Sequence, residues 1–327
     1  MDSGKRIFLA DLNGQSVKTL DDFEKFLKET VFEYDMTENR LYVCGLYSEK
    51  FERGEVIPKL SEDPRVRSVL NAERMSEITG LILSATPEVS EIRHVCRLNL
   101  TGEERWYGLL IKVSFTKGVR DGFFCKLTDV NETYKHFLKL RYDAHHDGLT
   151  GLYRRNYAKN QILQKLGGSG DFVIIMLDLD YFKGINDNYG HAFGDRVLKA
   201  VADIALKTFR SDGTVIARVG GDEFMLFMEY VDSPMEKVKK FQNAMITDIY
   251  GITVSVSMGV ADTKIVGRDY EQLYACADKA LYVSKRFGRG ICCYYDPSAS
   301  GGYVPQKPDV NISAAAPESY SEKNCDR

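Results

Sequence analysis

Carboxylates at two places in the chain have the types and spacing to bind a divalent cation. Asp178 and Asp180 directly follow the apolar run FVIIML at 172–177, and Asp222 follows a pair of glycines. If the run is a buried strand and the glycines form the turn of a neighbouring hairpin, Asp178 and Asp222 would lie within reach of one metal ion. Carboxylates with a backbone carbonyl suit a hard cation such as Mg²⁺. The alternative for each acid is a solvated charge at a strand end.

Two glycine-containing segments indicate that a phosphorylated molecule approaches these acids. One glycine is an ordinary turn residue, but Gly220 and Gly221 followed by two acids leave a bare backbone that another molecule can contact. The segment 181–195, YFKGINDNYGHAFGD, is also punctuated by glycines and has Lys183 near its start. Backbone N–H groups in a turn of this kind can bind phosphate.

Other polar residues near these segments have two interpretations. Lys285 and Arg289, in SKRFGRG, could reach phosphates, but basic residues in the last turn of a helix also complement the helix dipole. Asp195 just precedes a helix with apolar periodicity, so it could be the N-cap of that helix. Asn186 has no partner that the sequence identifies.

The second half of the chain has the alternation of strands and helices that would position these residues. Gly220-Gly221 between two strand-like runs predicts a hairpin. In 252–261 alternate residues are apolar, which predicts a strand with one buried face. The first four strands give the order β-α-β-β-α-β, the split βαβ arrangement. Strands are predicted at 172–177, 214–219, 223–229, 252–261 and 291–295, and helices around 197–209, after Pro234 and at about 270–286.

The first 127 residues are predicted to form a separate, small α+β domain of sensor type. A helix is predicted around 20–30, and the segment 30–44 contains two strand-like runs about a Thr-Glu-Asn turn. Three more strand-like runs follow, with turns at Thr101-Gly102 and around Lys117-Gly118. We therefore expect five strands, with helices between the second and the third.

Two further segments complete the predicted organisation. Residues 128–146 are predicted to be a linker helix with one apolar face, over fewer heptads than would specify a coiled coil. Residues 297–327 hold four of the eight prolines of the chain and show no apolar periodicity. That composition predicts a disordered tail.

Length and composition restrict the class of protein. A chain of 327 residues suggests two domains, and 44% hydrophobic with 28% charged residues is ordinary for a globular protein. The net charge of -3 gives no basic excess for nucleic acid, and no run approaches the roughly 20 apolar residues of a membrane span. Seven scattered cysteines without a CxxC pair favour reduced thiols. We expect a cytoplasmic protein that binds neither nucleic acid nor membrane.

Four segments together resemble the GGDEF domain, the diguanylate cyclase family, in the family's order and spacing. The resemblance covers residues 147–296 and implies an α+β fold with a βαββαβ (ferredoxin-like) core. It also implies the condensation of two GTP into cyclic di-GMP and two pyrophosphates, with two Mg²⁺ or Mn²⁺ ions per GTP. The segments are DGLTGLYRR at 147–155, DLDYFKGINDNYGHAFGD at 178–195, RVGGDEF at 218–224 and ADKALYVSKRFGRG at 277–290.

The resemblance assigns metal and triphosphate roles to residues at the matching positions. Asp178, Asp222 and the carbonyl of Leu179 would bind the metal ions. Glu223 would assist either at the 3′-hydroxyl or at the metal site, and the resemblance does not decide which. The triphosphate would be bound by main-chain N–H groups of Tyr181 and Phe182 and by the side chains of Lys183, Lys285 and Arg289.

The resemblance also implies how guanine is selected. Asn186 and Asp195 match the pair that reads the base, and a carboxylate can accept hydrogen bonds from the N1–H and N2 amino group of guanine together. Adenine lacks that pair of donors and would leave the carboxylate unpaired. Gly220 and Gly221 would let the nucleotide lie against the hairpin.

Further expectations concern regulation and assembly. Ser211-Asp212-Gly213-Thr214 stands where many family members carry an RxxD motif for product inhibition, so we expect no product-inhibition site there. Each GTP must attack the other, so a homodimer is expected. All catalytic positions are filled, which favours an enzyme over the alternative of a non-catalytic GTP-binding regulatory module.

The first domain resembles a PAS domain, through FEYDMTENRLYV, the Arg105-Trp106-Tyr107 segment and KLTDVNE running into the linker. A PAS-like domain would sense a ligand or an upstream partner that the sequence does not identify. His94 and Trp106 are better explained as structural residues than as contacts to a cofactor.

Overall fold

The computed structural model describes residues 29–45, 50–52, 54–100, 102–209, 213–230, 234–245 and 249–307. The chain divides into two compact units between Lys139 and Leu140. Four local predictions fall wholly or partly outside the described residues. They are the helix around 20–30, apart from its last two positions, the first residue of the turn at Thr101-Gly102, the expected absence of the RxxD motif at 211–214, and most of the predicted tail.

The first unit is built on an antiparallel sheet, with six strands in the described residues. Their order across the sheet is β3-β2-β1-β6-β5-β4, so the expected five strands are joined by a very short one at one edge. The predicted turns lie between β1 and β2 and between β5 and β6, where Asn39, Lys117 and Gly118 adopt positive φ. The strands are β1 (Glu29–Asp35), β2 (Arg40–Gly45), β3 (Glu55–Val56), β4 (Glu91–Leu98), β5 (Arg105–Thr116) and β6 (Val119–Asp129).

Helices between β3 and β4 pack against this sheet. A 3-10 turn at Leu60–Glu62 is followed by helices α1 (Pro64–Val69) and α2 (Ala72–Ser84). Asp63 and Asn71 cap these two helices by accepting hydrogen bonds from backbone N–H groups of the first turn. Ile82 of α2 packs with Ile111 of β5 and other apolar residues in the core of the unit.

The predicted linker is a helix, α3 (Asn131–His145), one to three residues shorter at its ends than expected. The division of the chain lies within it, at residues 139–140. Phe137, Leu140 and Tyr142 of α3 are all more than half exposed. Within the described residues, none of the helices is both long and apolar enough to cross a membrane.

The second unit contains a mixed sheet in the order β13-β12-β11-β8-β10-β9-β7. Its four central strands, β11-β8-β10-β9, are antiparallel neighbours, and numbered along the chain they stand in the order 4-1-3-2. This arrangement confirms the predicted split βαβ core. The strands are β7 (Tyr153–Arg154), β8 (Phe172–Leu179), β9 (Val215–Arg218), β10 (Glu223–Glu229), β11 (Val256–Asp262), β12 (Cys292–Tyr295) and β13 (Tyr303–Gln306).

Helices cover both faces of the second sheet. α6 and α7 pack with the odd-numbered residues of β8, and α4 and α9 pack with its even-numbered residues. All eight residues of β8 are therefore buried. The helices are α4 (Arg155–Leu166), α5 (Phe182–Tyr189), α6 (His191–Thr208), α7 (Pro234–Met245), α8 (Thr263–Val266) and α9 (Tyr270–Arg286).

The prediction of one buried face for 252–261 was wrong, because β11 is buried on both faces. The alternation arises since the face toward α9 carries small residues. Gly259 lies so close to α9 that a Cβ atom there would stand 2.1 Å from the Ala277 carbonyl oxygen and 2.1 Å from the Leu281 nitrogen. The alternation of large apolar residues with small ones in β11 is therefore caused by close packing of α9 on one face of the strand. It does not indicate that this face is exposed to solvent.

The prediction of a disordered tail from residue 297 was wrong for its first part. β13 returns along β12, and Tyr303 packs against Tyr295. Two glycines with positive φ, Gly301 and Gly302, reverse the chain. Pro305 fits because β13 is the edge strand of the sheet, where a missing N–H is tolerated.

Candidate functional site

The two predicted metal carboxylates lie at the same rim of the second sheet. β8 runs between β10 and β11, and its end carries Asp178 and Leu179. The Leu179 N–H donates a hydrogen bond to the Asp222 carbonyl at 3.2 Å, which fixes the hairpin turn beside the end of β8. The sheet thus brings together residues that lie more than forty positions apart in the chain.

Asp178 is the more buried of these carboxylates. Only 8% of the residue is exposed, and burial raises its pKa. The neighbouring negative charges of Asp222 and Asp180 raise the pKa further, whereas the Lys285 ammonium, at 2.7 Å from Asp178 Oδ2, opposes the rise. Lys285, predicted to contact phosphate, therefore forms an ion pair with one of the two predicted metal carboxylates.

The donor set at this rim fits a hard divalent cation in part. The described residues contain no cluster of three or more His, Cys, Asp or Glu side chains arranged to hold a metal ion. The chain supplies carboxylate and carbonyl oxygens, the donors that Mg²⁺ prefers, and the ammonium of Lys285 shows that Asp178 accommodates a positive charge. Mg²⁺ would take the rest of its six ligands from water and from the phosphates of a nucleotide.

The Gly220-Gly221 turn is held by a residue that the sequence did not single out. The guanidinium of Arg218 donates to the Gly221 carbonyl at 2.7 and 3.0 Å and to Asp147 Oδ1 at 3.0 Å. Asp147 also accepts from the N–H and hydroxyl of Thr150. Arg218 therefore joins the hairpin turn to the loop that follows α3.

Glu223 occupies the outer side of the same turn. Its side chain is exposed, and its Oε2 would lie 2.7 Å from a Cβ atom on Gly220. A larger residue at position 220 would displace this carboxylate, so the glycine keeps space for the Glu223 side chain. The structure thus places Glu223 at the rim with Asp222, as predicted.

The segment after β8 is a short helix and not the glycine-punctuated turn that we expected. Tyr181 adopts positive φ, 56°, and α5 begins at Phe182. The first N–H groups of a helix have no acceptor within it. At the start of α5 the Gly184 and Ile185 N–H groups donate to the Tyr181 carbonyl, so those of Phe182 and Lys183 are the donors that the helix itself does not use. Lys183 is exposed in this first turn. A helix N-terminus, which is a kind of site that can bind an anion, therefore stands where a turn was predicted.

The predicted base-reading residues lie on neighbouring helices, Asn186 in α5 and Asp195 in α6. Asn186 Oδ1 lies against Gly194, where a Cβ atom would be only 2.0 Å from it, so this glycine lets the amide approach the backbone next to Asp195. Asp195 is exposed, and the N-cap of α6 is Gly190. The alternative interpretation of Asp195 as the N-cap was therefore wrong. No described residue forms a hydrogen bond or ion pair with its carboxylate.

Arg289 lies against the residue that precedes α5. Its guanidinium stands over the Tyr181 ring, 4.8 Å from the ring centre. Arg289 itself has positive φ, 65°, between Gly288 and Gly290. Together with Lys285 on the last turn of α9, it provides positive charge on the side of the rim where α5 begins.

Asp180 is a second residue that the sequence analysis left without a role. It is 4% exposed, and its carboxylate accepts hydrogen bonds from Ser255, Ser257 and the Gly290 N–H. Only the spacing of DLD gave a signal for it, and its three donors come from segments 75 to 110 positions away. Long-range contacts of this kind are not readable from local sequence.

A family comparison identifies the region that contains these residues. Residues 144–290 match the sequence model of the family described as "Diguanylate cyclase, GGDEF domain". The matched range includes the rim, the hairpin, α5 and the SKRFGRG segment. This part of the chain is a GGDEF domain, and its fold is the predicted α+β fold.

Curated relatives match the same part of the chain. Diguanylate cyclase VdcA of Vibrio cholerae is 34% identical over 173 residues, which are 49% of this chain and 50% of that protein. Diguanylate cyclase DgcS of Shewanella oneidensis is 35% identical over 166 residues, 48% of this chain and 54% of that protein. Cyclic di-GMP phosphodiesterase PdeR of Escherichia coli is 31% identical over 183 residues, 53% of this chain and 27% of that protein. The chain spans about half, or less, of the length of these relatives.

Two solved structures are also similar. The coiled coil and GGDEF domain of DgcB from Caulobacter crescentus, in complex with c-di-GMP, has 27% identity and a TM-score of 0.47, covering 50% of this chain and 93% of that one. A sensory box/GGDEF family protein from the same organism has 32% identity and a TM-score of 0.41, covering 44% and 100%.

Proposed function

We propose that the GGDEF domain of residues 144–290 is an active diguanylate cyclase that condenses two GTP into cyclic di-GMP. Each 3′-oxygen forms a bond to the α-phosphorus of the other GTP, the 3′-hydroxyl loses its proton, and pyrophosphate leaves. The observation that carries the proposal is the position of Asp178 and Asp222 at one rim, beside the N-terminus of α5.

Each part of the rim has a task in this reaction. Asp178, Asp222 and the Leu179 carbonyl would hold two Mg²⁺ or Mn²⁺ ions per GTP. When bound, these ions neutralise the triphosphate and lower the pKa of the attacking hydroxyl. The main-chain N–H groups of Tyr181 and Phe182, at the start of α5, would bind and orient the phosphates. Glu223 is exposed at the rim and is available to accept the proton of the 3′-hydroxyl.

Cationic side chains complete the triphosphate site. Lys183 and Arg289 lie on the side of the rim where α5 begins. Lys285, whose ammonium lies 2.7 Å from Asp178 Oδ2, would contribute positive charge to the phosphates from the same rim.

Asn186 and Asp195 would select guanine. The carboxylate of Asp195 is exposed and has no partner among the described residues, so it is available for the two donors on the edge of guanine. Adenine lacks this pair of donors, so it would leave the Asp195 carboxylate without hydrogen bonds. Gly220 and Gly221 leave the hairpin without side chains on the side that the nucleotide approaches.

Incubation of the purified chain with GTP and Mg²⁺, followed by chromatography of the products, tests the proposal. We expect cyclic di-GMP and pyrophosphate, and no product in the presence of a chelator. Asp222→Asn should lower the rate by about 10³-fold or more, because a metal ligand is lost. Asp203→Asn, which neutralises an exposed acid on α6 away from the rim, is the matched control and should keep the rate.

The competing function is a regulatory module that binds GTP without turning it over. PdeR, whose name describes a phosphodiesterase, contains a region similar to this one, so the region occurs in proteins that are not named cyclases. Saturable GTP binding without any cyclic dinucleotide, at all protein concentrations, would favour this module and overturn the cyclase. Absence of both binding and product would point to a vestigial site.

We also propose that the first unit is a PAS-like sensor that binds a small, neutral, apolar ligand. A cavity of about 310 Å³ lies between its sheet and its helices, lined almost entirely by apolar side chains such as Phe32, Ile78, Leu98, Leu109 and Leu127. This is roughly twice the ~150 Å³ that holds one benzene molecule in an engineered cavity. Two fused rings or a medium-length hydrocarbon chain would fit.

The phenol and the guanidinium that line the cavity already have partners. Tyr34 donates its hydroxyl hydrogen bond to the Ile57 carbonyl, at 2.8 Å, and Arg65 forms 2.7 Å ion pairs with Glu55 and Asp63. Burial raises the pKa of Cys125 to about 12, so its thiol is neutral and offers no thiolate to a metal or haem. A charged ligand would find no free counter-charge in this lining.

Naphthalene, a neutral molecule of two rings, is a suitable probe of the sensor proposal. We expect it to raise the thermal unfolding temperature of the full chain and to change the rate of cyclic di-GMP formation. Ile78→Phe, which fills part of the cavity, should abolish both effects, whereas the conservative Ile78→Val should retain them. Binding of naphthalene that survives in Ile78→Phe, or tighter binding of a carboxylate such as benzoate, would contradict the apolar cavity as the sensor site.

We propose finally that the enzyme acts as a homodimer. Each site binds one GTP, yet the product contains two, so two sites must face one another. The exposed Phe137 and Leu140 of α3 form an apolar face on which two copies can pair. The specific rate should rise with protein concentration until dimerisation is complete, and solution mass should rise in parallel. A rate per chain that is constant over the range in which the mass stays monomeric would contradict the dimer.

A further inference from the structure

The carboxylate of Asp180 has the hydrogen bonds of a structural anchor and not those of a metal ligand. Its Oδ1 accepts from the Ser257 hydroxyl at 2.7 Å, and its Oδ2 accepts from the Ser255 hydroxyl at 2.6 Å and from the Gly290 N–H at 2.9 Å. The Asp180 N–H donates to the Ser255 carbonyl at 2.9 Å. Both oxygens are satisfied while the residue is 4% exposed, so little of this carboxylate is left for a cation.

The loop that Asp180 holds has an unfavourable backbone conformation. Gly288, Arg289 and Gly290 have φ values of 104°, 65° and 62°, three left-handed residues in succession. For Arg289 this conformation is unfavourable, since its Cβ meets the following carbonyl. Such a conformation persists only where its surroundings hold it. Two hydrogen bonds do so here, one from the Arg289 N–H to the Ser284 carbonyl and one from the Gly290 N–H to Asp180.

Asp180 also directly precedes the residue on which Arg289 rests. Tyr181 has left-handed φ, 56°, and its ring carries the Arg289 guanidinium at 4.8 Å from the ring centre. Nη1 of Arg289 lies 3.5 Å from the Tyr181 hydroxyl oxygen. Asp180 is therefore linked to both members of the Tyr181–Arg289 pair. It is the residue before Tyr181 in the chain, and it accepts a hydrogen bond from Gly290, the residue after Arg289.

We propose that Asp180 is a positioning residue, which holds Arg289 beside the N-terminus of α5 so that both can bind the triphosphate together. The inference rests on the proposed function, because that function assigns Arg289 to the triphosphate. Asp180 contacts no phosphate and acts only through Arg289. A carboxylate suits position 180 because three donors converge on it. An asparagine has one acceptor oxygen in place of two and no charge, so the hydrogen bond from the Gly290 N–H is either weakened or lost.

A double-mutant cycle on nucleotide binding tests this inference independently of turnover. The measured quantity is the dissociation constant of a non-hydrolysable GTP analogue with Mg²⁺, for the wild-type chain, Asp180→Asn, Arg289→Ala and the double variant. We expect Asp180→Asn and Arg289→Ala each to weaken binding by roughly tenfold, the loss of one charge-assisted contact. The double variant should bind no more weakly than Arg289→Ala, since Asp180 acts through Arg289. Losses that multiply in the double variant would overturn the inference.

A matched variant separates positioning from stability. Ser257→Ala removes one donor from the same carboxylate but leaves the Gly290 N–H in place. It should lower the thermal unfolding temperature while changing the affinity for the analogue by less than about twofold. Equal losses of affinity in Ser257→Ala and Asp180→Asn would show a general structural role and would overturn the positioning role.

A second variant covers the case in which Asp180→Asn does not fold. Gly290→Ala keeps the carboxylate but places a Cβ on a residue with φ of 62°, which disfavours the loop conformation. Gly290→Ala alone should weaken binding of the analogue. Added to Arg289→Ala, it should cause no further loss of affinity. A further loss in that double variant would contradict the inference. Failure of the wild-type chain to make cyclic di-GMP, with analogue binding and the cycle as expected, would overturn the proposed enzyme and leave this inference standing.

Discussion

The two sheets of this protein are covered differently, and the difference decides where each unit can bind a ligand. The second sheet has helices on both faces, and every residue of its central strand β8 is buried. The first sheet has α1 and α2 on one face, while Val95 and Phe124 on the other face are 36% exposed. In the described residues of the second unit, the candidate nucleotide site lies where the strands of the doubly covered sheet end, whereas the first sheet leaves a cavity of about 310 Å³ under its helices.

The chemistry of the two candidate sites follows from these positions. A rim exposes strand ends, turns and helix N-termini, so the second unit presents carboxylates, ammonium groups and backbone N–H groups to a charged nucleotide. A cavity between a sheet and its helices is lined mainly by core-facing side chains, which are apolar or hydrogen-bonded. The first unit accordingly offers almost no polar surface to a ligand.

The largest expected effect tests how tightly the second sheet is packed. Gly259→Ala would place a Cβ 2.1 Å from backbone atoms of Ala277 and Leu281, and a helix backbone cannot yield as a flexible side chain can. We expect the free energy of unfolding to fall by about 3 kcal/mol or more, from overpacking of a filled core. Urea or thermal unfolding of the wild-type chain and of Gly259→Ala measures this difference in the free energy of unfolding.

Gly80→Ala, in α2 of the first unit, is the matched control. No atom lies within 4 Å of a Cβ at this position, so the added methyl meets open space. Replacement of a helical glycine by alanine should raise stability by about 0.5–1 kcal/mol. Similar effects of the two substitutions would remove the contrast between a filled unit and an open one.

Those features of the second unit that depend on local sequence pattern could be predicted from the sequence. The apolar run of β8, the Gly-Gly hairpin and the helical spacing in α9 predicted elements that the structure confirms, and their order predicted the split βαβ core. The positions of Asp178 and Asp222 followed from that topology. Each of these predictions needed only periodicity, turn residues and chain order.

The features that escaped prediction depend on contacts between distant segments. Gly259 gave the appearance of a strand with one exposed face because its small size serves a helix some twenty positions later. β13 was hidden by prolines that an edge strand tolerates. The roles of Asp180 and Arg218 arise from partners up to 110 and 71 positions away. A cavity has no sequence pattern at all, since its lining residues are ordinary core residues.

The next effect concerns an ion pair that ties a loop of the second unit to its sheet. Burial opposes ionisation of Asp147, but hydrogen bonds from Thr150 and Arg218 outweigh it and hold its pKa below the ordinary value. Asp147→Asn should therefore lower the free energy of unfolding by about 1–2 kcal/mol at pH 7, because the Arg218 guanidinium loses its partner. Urea unfolding at pH 7 measures this difference.

The same variant has a defined pH dependence. Because the folded-state pKa is lower than the unfolded one, about 3.9, the stabilisation is complete above the unfolded pKa and is lost as pH falls through the folded pKa. The stability difference between wild type and Asp147→Asn should thus be constant from pH 7 to pH 5 and should shrink below pH 4. A difference that is unchanged at pH 3 would show that the carboxylate charge is not what holds the loop.

The smallest expected effect examines the cavity of the first unit in the absence of any ligand. Ile78→Phe adds apolar volume where the lining leaves about 310 Å³ open, so it should raise the free energy of unfolding by about 0.5–1 kcal/mol, as cavity filling commonly does. Overpacking of a closed core would instead lower it by about 1–3 kcal/mol, as expected for Gly259→Ala. Thermal unfolding of wild type and Ile78→Phe, with Ile78→Val as the control that enlarges the space, distinguishes these outcomes by sign. A loss of stability in Ile78→Phe would mean that this space is already filled in solution, either by collapse of the helices or by another part of the chain, and the contrast between the two units would then rest on the rim alone.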